Sequence, residues 1–472
     1  MTTHVPILII GAGISGLTCA YTLRKSGLDA QILEASDQPG GAIRSERRDG
    51  YLLELGPQSF NASPPVLDLC RELNIANELI EAPKTAPRFL LINGQLKPVP
   101  LSPPAFFGSF LFSLKTKFSL LRDVFGRSTP PDTDESMAAF TRRKFTPELL
   151  DKLVGPFVSG IYAGNPEKLS LRAAFPQLHE AERTAGSLVR GMMRAAKSKP
   201  SPRQRPTLQS FKNGTQTLID VLSASLGPSL RCGVEVTSIQ QALQASAAAL
   251  RTNKQFQVTA QSSTGTESIL ADNLILATPT YVAAKLLSSE LASPHKEILQ
   301  EIEYAPIAVV SLGYRIQDVA HPLNGFGFLI PRSENLRTLG SVWNSSLFLN
   351  RAPQNSVLLT NFIGGATDPQ AAQLSPDEIV SMVHGELAPI LSISGQPTFS
   401  HVQLYPRALP QYNLGHAARV AALERQSSFL PNLRLVGNYL HGPAVGACIE
   451  QALAVANEIR TQVLPGGPER PV

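Results

Sequence analysis

The opening fifty residues constrain this chain more than any other stretch. Val5 to Ile10 is an apolar, β-favouring run broken only by Pro6, and it reads as a buried parallel strand. Gly11, Gly13 and Gly16 follow at once. Their spacing suits a dinucleotide turn: the first glycine permits a tight turn, the second lets backbone approach a pyrophosphate, and the third lets the next helix pack close to the strand. The helix is expected from about Ser15 to Lys25, ending at Gly27, with a second strand over Ala30 to Leu33. That strand delivers Glu34, eighteen residues past Gly16, where a carboxylate can accept hydrogen bonds from both hydroxyls of an unphosphorylated adenosine ribose. A glycine motif alone is weak, but the strand before it, the helix after it and the acid on the next strand are all present.

What separates FAD from NAD is the next stretch. Gly40-Gly41-x-x-Arg44 begins six residues beyond Glu34, where two glycines expose backbone N–H groups and an arginine can reach phosphate oxygens or the flavin edge. NAD-binding chains seldom carry such a loop there, so the cofactor read from the residues is FAD. Near the other end, Leu433 to Val436 forms one more parallel strand, and Gly437 to Gly446 turns into a helix over Ala447 to Val463. The free N–H groups and positive dipole end of that helix suit the negative charge that reduced flavin carries at N1–C2=O.

The 472 residues suffice for two or three domains. A net charge of +5 is mildly basic, with no Lys/Arg stripe interleaved with aromatics, so nucleic acid is not an expected partner. Cys19, Cys70, Cys232 and Cys448 are scattered, without a C-x-x-C pair, and read as thiols in a reducing compartment. The eight histidines form no ligand cluster, so no metal site is expected, and His441 reads as structural rather than cofactor-facing. Only four residues precede the first strand, which leaves no room for a signal or transit peptide and favours the cytoplasm.

Between these landmarks the pattern alternates. A short strand runs from Leu52 into Gly56-Pro57, a helix follows over Pro65 to Leu73, and Arg88 to Val99 is a hairpin about Asn93-Gly94. From 99 to 125 there is an uncharged, phenylalanine-rich stretch followed by Lys115, Lys117 and Arg122. It is too short to span a bilayer of roughly 30 Å. It suits either an interfacial helix over anionic headgroups or a core contact, and the two stand even. Helices are expected over Glu135 to Arg143, Pro147 to Leu153 and about Arg172 to Ala195, separated by a Gly-rich loop from Gly155 to Pro166 and closed by a basic, Pro-rich linker at Ser198 to Pro206. Further on lie a helix from Thr215 to Leu226, a strand Gly233 to Ile239, a hairpin over Phe256 to Ala271 and a separate buried strand Asn273 to Pro279. From Tyr281 to Tyr405 the reading is an antiparallel sheet with one helix at Pro376 to Leu391.

Together with Glu54-x-Gly56-Pro57, Phe157 to Pro166, Ser210-Phe211-x-x-Gly214, Gly325 to Pro331 and Gly437-Asn438-Tyr439-x-x-Gly442, the opening motifs resemble the protoporphyrinogen oxidase family, over residues 5 to 463. The N-terminal part is shared with the wider flavin amine oxidase and phytoene desaturase superfamily, whereas the stretches 157–166 and 325–331 are far more specific. The resemblance implies an α/β fold: a Rossmann-like FAD-binding domain with an α+β substrate domain and a helical insertion. The FAD domain would comprise residues 1–87, 207–280 and 408–472, the substrate domain 88–98 and 281–407, and the helical domain, which associates with membrane in several relatives, 99–206. Residue by residue, it implies FAD-binding roles for Gly11, Gly13, Ile14, Ser15, Gly16, Glu34, Ala35, Gly41, Ala42, Arg44, Gly56, Pro57, Gln58, Ser59, Val236, Asn438, Pro443, Ala444 and Val445. Arg88 matches an arginine that holds a substrate propionate, Gly160 a backbone lining the tetrapyrrole pocket, and Phe326, Leu329 and Val342 apolar walls. Pro443 stands where relatives often carry a β-branched residue, and Ala42 where a bulkier one is common.

The activity so implied is oxidation of protoporphyrinogen IX to protoporphyrin IX in heme biosynthesis, six electrons in three flavin cycles, with O2 as acceptor and H2O2 released. No Ser-His-Asp or paired-carboxylate constellation stands out, which agrees with a cofactor doing the redox step and no protein group being catalytic. The rivals are the same chemistry on coproporphyrinogen III, a flavin amine oxidase, and a flavin-binding protein without turnover. One identifiable arginine among apolar walls favours the two-propionate substrate. Peripheral contact with the cytoplasmic membrane and a homodimer complete the expectations.

Overall fold

The computed structural model describes residues 2–100, 102–198, 207–242, 256–427, 430 and 432–464. Of the linker expected at Ser198 to Pro206, residues 199–206 lie outside them. The architecture is the mixed α/β one expected. One seven-stranded sheet is ordered Leu230–Arg231, Ala30–Leu33, Thr2–Ile10, Gly265–Leu276, Phe256–Ser262, Glu235–Gln241, with Leu433–Leu435 also paired to Gly265–Leu276. The strands nearest the fingerprint are parallel, and the pairings of Phe256–Ser262 are antiparallel. Buried on both faces, Ile7, Leu8, Ile9 and Leu274 are completely enclosed, as an apolar run without alternation requires.

Two expectations change here. The hairpin strand and the strand read separately from Asn273 are one element, Gly265–Leu276. Its first half pairs with Phe256–Ser262, and once that partner ends opposite Ala271, its last three residues pair with Leu433–Leu435 on the same side. The expected Gly-rich loop is instead a helix, Gly155–Tyr162. Pro156 lies in the first turn, where its missing N–H costs nothing, and a Cβ on Gly160 would come within 2.8 Å of Leu329, so the glycine serves close packing rather than a turn. Helices Thr280–Leu286, Ser289–Gln300 and His416–Ser427 add to the elements expected.

The second seven-stranded sheet is ordered Phe399–Pro410, Tyr304–Arg315, Ser356–Gly364, Thr338–Val342, Gly327–Leu329, Arg88–Ile92, Gln95–Pro98. It is antiparallel except where Gly327–Leu329 runs parallel to Arg88–Ile92. Helix Pro376–Leu391 closes one face through Ile379, Val383, Leu387 and Leu391. On the other face, Leu358 and Phe399 pack with Tyr51, Leu53 and Leu55, on the chain that leads out of the first sheet. A hairpin, Ser45–Arg48 with Tyr51–Glu54, joins the two sheets: Tyr51 stacks on Phe399 at 4.6 Å and lies where Gly313 has no side chain.

From the same hairpin, Glu54 forms an ion pair of 3.3 Å with Arg351, both side chains sealed from water. The Glu54 carboxylate accepts hydrogen bonds from Ser45 Oγ, Thr215 Oγ1 and Thr215 N at 2.6, 2.6 and 3.0 Å. Arg351 Nη2 donates to Ser210 Oγ at 2.7 Å and to the Phe211 carbonyl at 3.2 Å. Burial pushes the carboxyl up and the guanidinium down, each toward its neutral form, and their mutual attraction opposes both shifts.

The helical insertion contains an inverted helix. Leu114–Phe125 buries Thr116, Ser119 and Asp123 and exposes Leu114, Phe118, Leu121 and Phe125. Its buried side is held by polar groups. Glu148 accepts from Ser113 Oγ at 2.6 Å and Thr116 Oγ1 at 2.5 Å, and Lys144 pairs with Asp123 at 2.5 Å and Glu182 at 3.3 Å. Burial would raise the Glu148 carboxyl, but hydrogen bonds from Lys152, Ser113 and Thr116 outweigh it and hold the group at about 2.

Removing one partner of the sealed pair leaves a buried charge uncompensated, which costs about 3–5 kcal/mol, whereas replacing both removes the charge altogether. Arg351→Met is therefore expected to lower Tm sharply, and Glu54→Gln combined with Arg351→Met to recover most of the loss. An equal loss in the double variant would contradict this account.

Candidate functional site

The cofactor residues expected from sequence are drawn together at the C-terminal end of the parallel strands, where ligands bind in open α/β sheets. Gly13 and Gly40 form a bridge, Gly40 N donates to the Ala12 carbonyl at 2.8 Å, and a Cβ on Gly41 would lie 3.4 Å from Gly13 Cα. A Cβ on Gly16 would fall 2.0 Å from the Gly11 carbonyl oxygen, and one on Gly56 would fall 1.9 Å from that of Ala42, so both positions admit only glycine. Ile14 and Ser15 are buried in the first turn of helix Ile14–Lys25. That helix has Gly13 as its N-cap, no side-chain cap and no acid in its first turn, which leaves its N–H groups for an anion.

Glu34 Oε2 accepts from Ala12 N at 2.7 Å, while Oε1 accepts from Ser36 N at 3.0 Å and Ser36 Oγ at 2.7 Å. These bonds orient the carboxylate beside the glycine turn and leave acceptor capacity for a ribose. Ala35 follows it in the chain, and Val236, buried, lies close by, since Val234 N donates to the Glu34 carbonyl at 2.9 Å. In this structure Arg44 Nη2 is paired with the Glu46 carboxylate at 2.6 Å. A cavity of about 550 Å³ lined by Gln38, Arg44, Glu46, Arg47 and Asp220 among others shares Arg44 with this site and none of the expected substrate residues.

The second helix end completes the cradle. Val445–Val463 packs along Ile14–Lys25, with Cys448 hydrogen-bonded to Ser15. Its N-cap is Ala444, after Pro443, again with no side-chain cap and no acid in the first turn. The turn from Asn438 leads into it from strand Leu433–Leu435. On the far side, Pro57 and Ser59 flank Gln58, whose Nε2 donates to the Glu54 and Gly56 carbonyls at 2.9 Å each and whose Oε1 accepts from Asn344 Nδ2 at 2.8 Å. Two uncapped helix N-termini, glycines that hold backbones in contact and an oriented carboxylate fit FAD.

The five expected substrate residues also converge. Arg88 lies opposite Gly327 and Gly327 opposite Val342 in the sheet register, and the Arg88 guanidinium sits 5.2 Å from the Phe326 ring centroid. Helix Gly155–Tyr162 brings Gly160 onto Leu329, which also packs against Leu90, Phe106, Leu111, Phe112 and Leu149. Phe326 and Val342 pack against Leu347 and Phe348. Arg88 itself is exposed at the start of its strand, and among the described residues no carboxylate lies within ion-pair distance of it. The guanidinium thus stands at the rim of the apolar walls. Asn344, which holds Gln58, was not legible from sequence, because its partner lies far away in the chain and no local motif marks it.

Comparison with known proteins gives a consistent result. The profile of the family described as flavin containing amine oxidoreductase matches residues 14–460. The chloroplastic protoporphyrinogen oxidase of Nicotiana tabacum is 35% identical over 479 residues, covering 96% of this chain and 85% of the relative. Coproporphyrinogen III oxidase of Bacillus subtilis (strain 168) is 28% identical over 481 residues, covering 96% and 98%. Among solved structures, a protein from Exiguobacterium sp. 255-15 provisionally named protoporphyrinogen oxidase superposes with a TM-score of 0.79 at 23% identity, over 98% of this chain and all of that one. Putrescine oxidase bound to putrescine gives 0.70 at 17% identity, over 97% and 99%. At these identities the solved structures carry the fold alone.

Proposed function

The chain belongs to the flavin containing amine oxidoreductase family, is an oxidoreductase and uses FAD, and on that premise we propose that it oxidises protoporphyrinogen IX to protoporphyrin IX. The observation that carries the substrate class is Arg88: an exposed guanidinium without a carboxylate partner among the described residues, set over Phe326 at the rim of an apolar wall. A porphyrinogen presents this chemistry in reverse, an apolar macrocycle with carboxylates at its edge. Bound FAD supplies a two-electron acceptor, and O2 is the proposed terminal acceptor.

What the protein's own residues contribute is position. Arg88 holds a propionate by charge-assisted, preferably bidentate, contacts. Leu329, Val342 and Phe326 exclude water from the macrocycle edge, and Gly160 lets its helix close onto Leu329. On this reading Gly11 to Gly16, Glu34 with Ala35, Gly41 to Arg44, Gly56 to Ser59, Val236 and Asn438 to Val445 bind FAD. The division proposed is a three-part FAD domain, a substrate domain on the second sheet and a helical insertion.

We place the insertion at a lipid surface. Phe107 and Phe110 are exposed, Phe110 fully, and Leu114, Phe118, Leu121 and Phe125 recur along one side of a helix whose opposite side is polar and buried. Phe106, Leu111 and Phe112 are core, so the stretch divides between the two readings that the sequence left even. Among the described residues no helix is long and apolar enough to cross a membrane, so the contact is peripheral. Phe110→Ser with Phe118→Ser and Phe125→Ser is expected to abolish flotation with anionic liposomes without loss of fold. Wild-type protein that never floats, or a triple variant that floats unchanged, would refute it.

An exposed arginine keeps more water than an enclosed one, so Arg88→Ala is expected to cost about 1.5–3 kcal/mol, the usual scale for hydrogen bonds to a charged group, or roughly ten- to hundredfold in kcat/KM. Arg88→Lys should retain part of the activity. Steady-state assays of these variants on protoporphyrinogen IX and coproporphyrinogen III check both points: unchanged kcat/KM in Arg88→Ala removes the anchor, and faster wild-type turnover of coproporphyrinogen III reassigns the substrate.

A further inference from the structure

The turn that feeds the C-terminal helix is closed by a residue from outside it. Tyr412 is 1% exposed, its hydroxyl donates to the Asn438 carbonyl at 2.7 Å, and the same oxygen accepts from Gly442 N at 2.7 Å. One phenolic oxygen thus spans the turn and fixes the approach to Pro443, Ala444 and Val445. The ring is held on two sides: His416 stacks on it with centroids 4.1 Å apart, and Tyr162 lies 5.4 Å away. Its backbone carbonyl accepts from Ser170 N at 2.8 Å, in the helical insertion. Tyr162 ends the helix on which Gly160 meets Leu329, and its own hydroxyl donates to the Ala174 carbonyl at 2.9 Å.

We propose that Tyr412 is a positioning residue for the flavin: its hydroxyl sets the shape of the turn 438–442, and its ring ties that shape to the helix lining the substrate side. The inference rests on the reading of Asn438 to Val445 as part of the FAD site. Burial raises the phenol well above its ordinary range, so it keeps its proton and continues to donate to Asn438. The same burial lowers the His416 imidazole to about 4, so the stacked ring is neutral at ordinary pH and leaves Tyr412 in the same setting. Around His416 stand Arg419, Asp134 and His441, and none of them forms a hydrogen bond with the Tyr412 hydroxyl.

The test uses the full chain. Tyr412→Phe keeps the ring and its stacking and removes only the two bonds, so the protein should fold, with an FAD dissociation constant raised about tenfold, about 1.4 kcal/mol. The flavin's visible spectrum and midpoint potential should shift as well, which a merely structural role would not cause. Tyr162→Phe, which removes the bond to Ala174, should lower Tm and leave both flavin readouts unmoved. Should Tyr412→Phe fail to fold, hydrogen exchange in the FAD-loaded wild type decides: a slowly exchanging Gly442 amide supports the clamp, and a fast one overturns it. Tyr412→Phe with unchanged FAD affinity, spectrum and potential also overturns it. A wild type that binds no FAD would instead overturn the reading of the cofactor site, so the two failures are distinguishable.

Discussion

A carboxylate and a guanidinium, both removed from water, hold this molecule in register. Neither Glu54 nor Arg351 could be buried alone, and the pair is held where four separate stretches meet: the hairpin carrying Ser45 and Glu54, the segment Ser210–Phe211, Thr215 at the start of a helix, and the loop that bears Arg351. The pair therefore ties the dinucleotide half to the second sheet at one fixed relation. Two residues beyond Glu54 is Gly56, and Gln58 reaches across to Asn344, in the short helix that follows strand Thr338–Val342 of the second sheet. The surface expected to face the flavin and the surface expected to face the substrate are thus set by the same polar network.

Against that frame the site needs little from individual side chains. Both helices aimed at the cradle begin without a side-chain cap or an acid, at Gly13 and at Ala444, so what they offer an anion is backbone N–H donors fixed by the fold. Glycines remove the side chains that would otherwise hold the backbones apart. The one side-chain charge expected on the substrate, Arg88, stands at the rim, where it can select a carboxylate without the full penalty of burial.

The sequence made the glycine turn, the second strand that leads into Glu34, and the C-terminal strand and helix legible because each is marked by a local pattern. It also placed helix Pro376–Leu391 at its true bounds, since a Ser375–Glu378 capping box and a periodic apolar face are both local. What it misread depends on distant partners. Gly155–Tyr162 has the composition of a loop, yet it is a helix that buries Pro156, Val158, Ser159 and Tyr162 and packs Gly160 on Leu329. Gly265–Leu276 looked like two strands because Asp272 and Asn273 interrupt its apolar run, yet pairing with Thr2–Ile10 on one side and two successive partners on the other keeps it whole. Leu114–Phe125 has an amphipathic pattern whose polar side faces in, a choice made by Glu148 and Lys144, which lie outside it in later helices. Tyr412 sits in no motif; its role exists only where its hydroxyl meets the turn 438–442.

The most direct test of the central claim is anaerobic mixing of FAD-loaded protein with protoporphyrinogen IX while the visible absorbance of the flavin is followed. The account predicts that the oxidised flavin bleaches as porphyrin forms, and that readmitted O2 restores it with release of H2O2. Flavin that stays oxidised in the presence of the porphyrinogen, in protein shown to be folded and fully loaded, would contradict it.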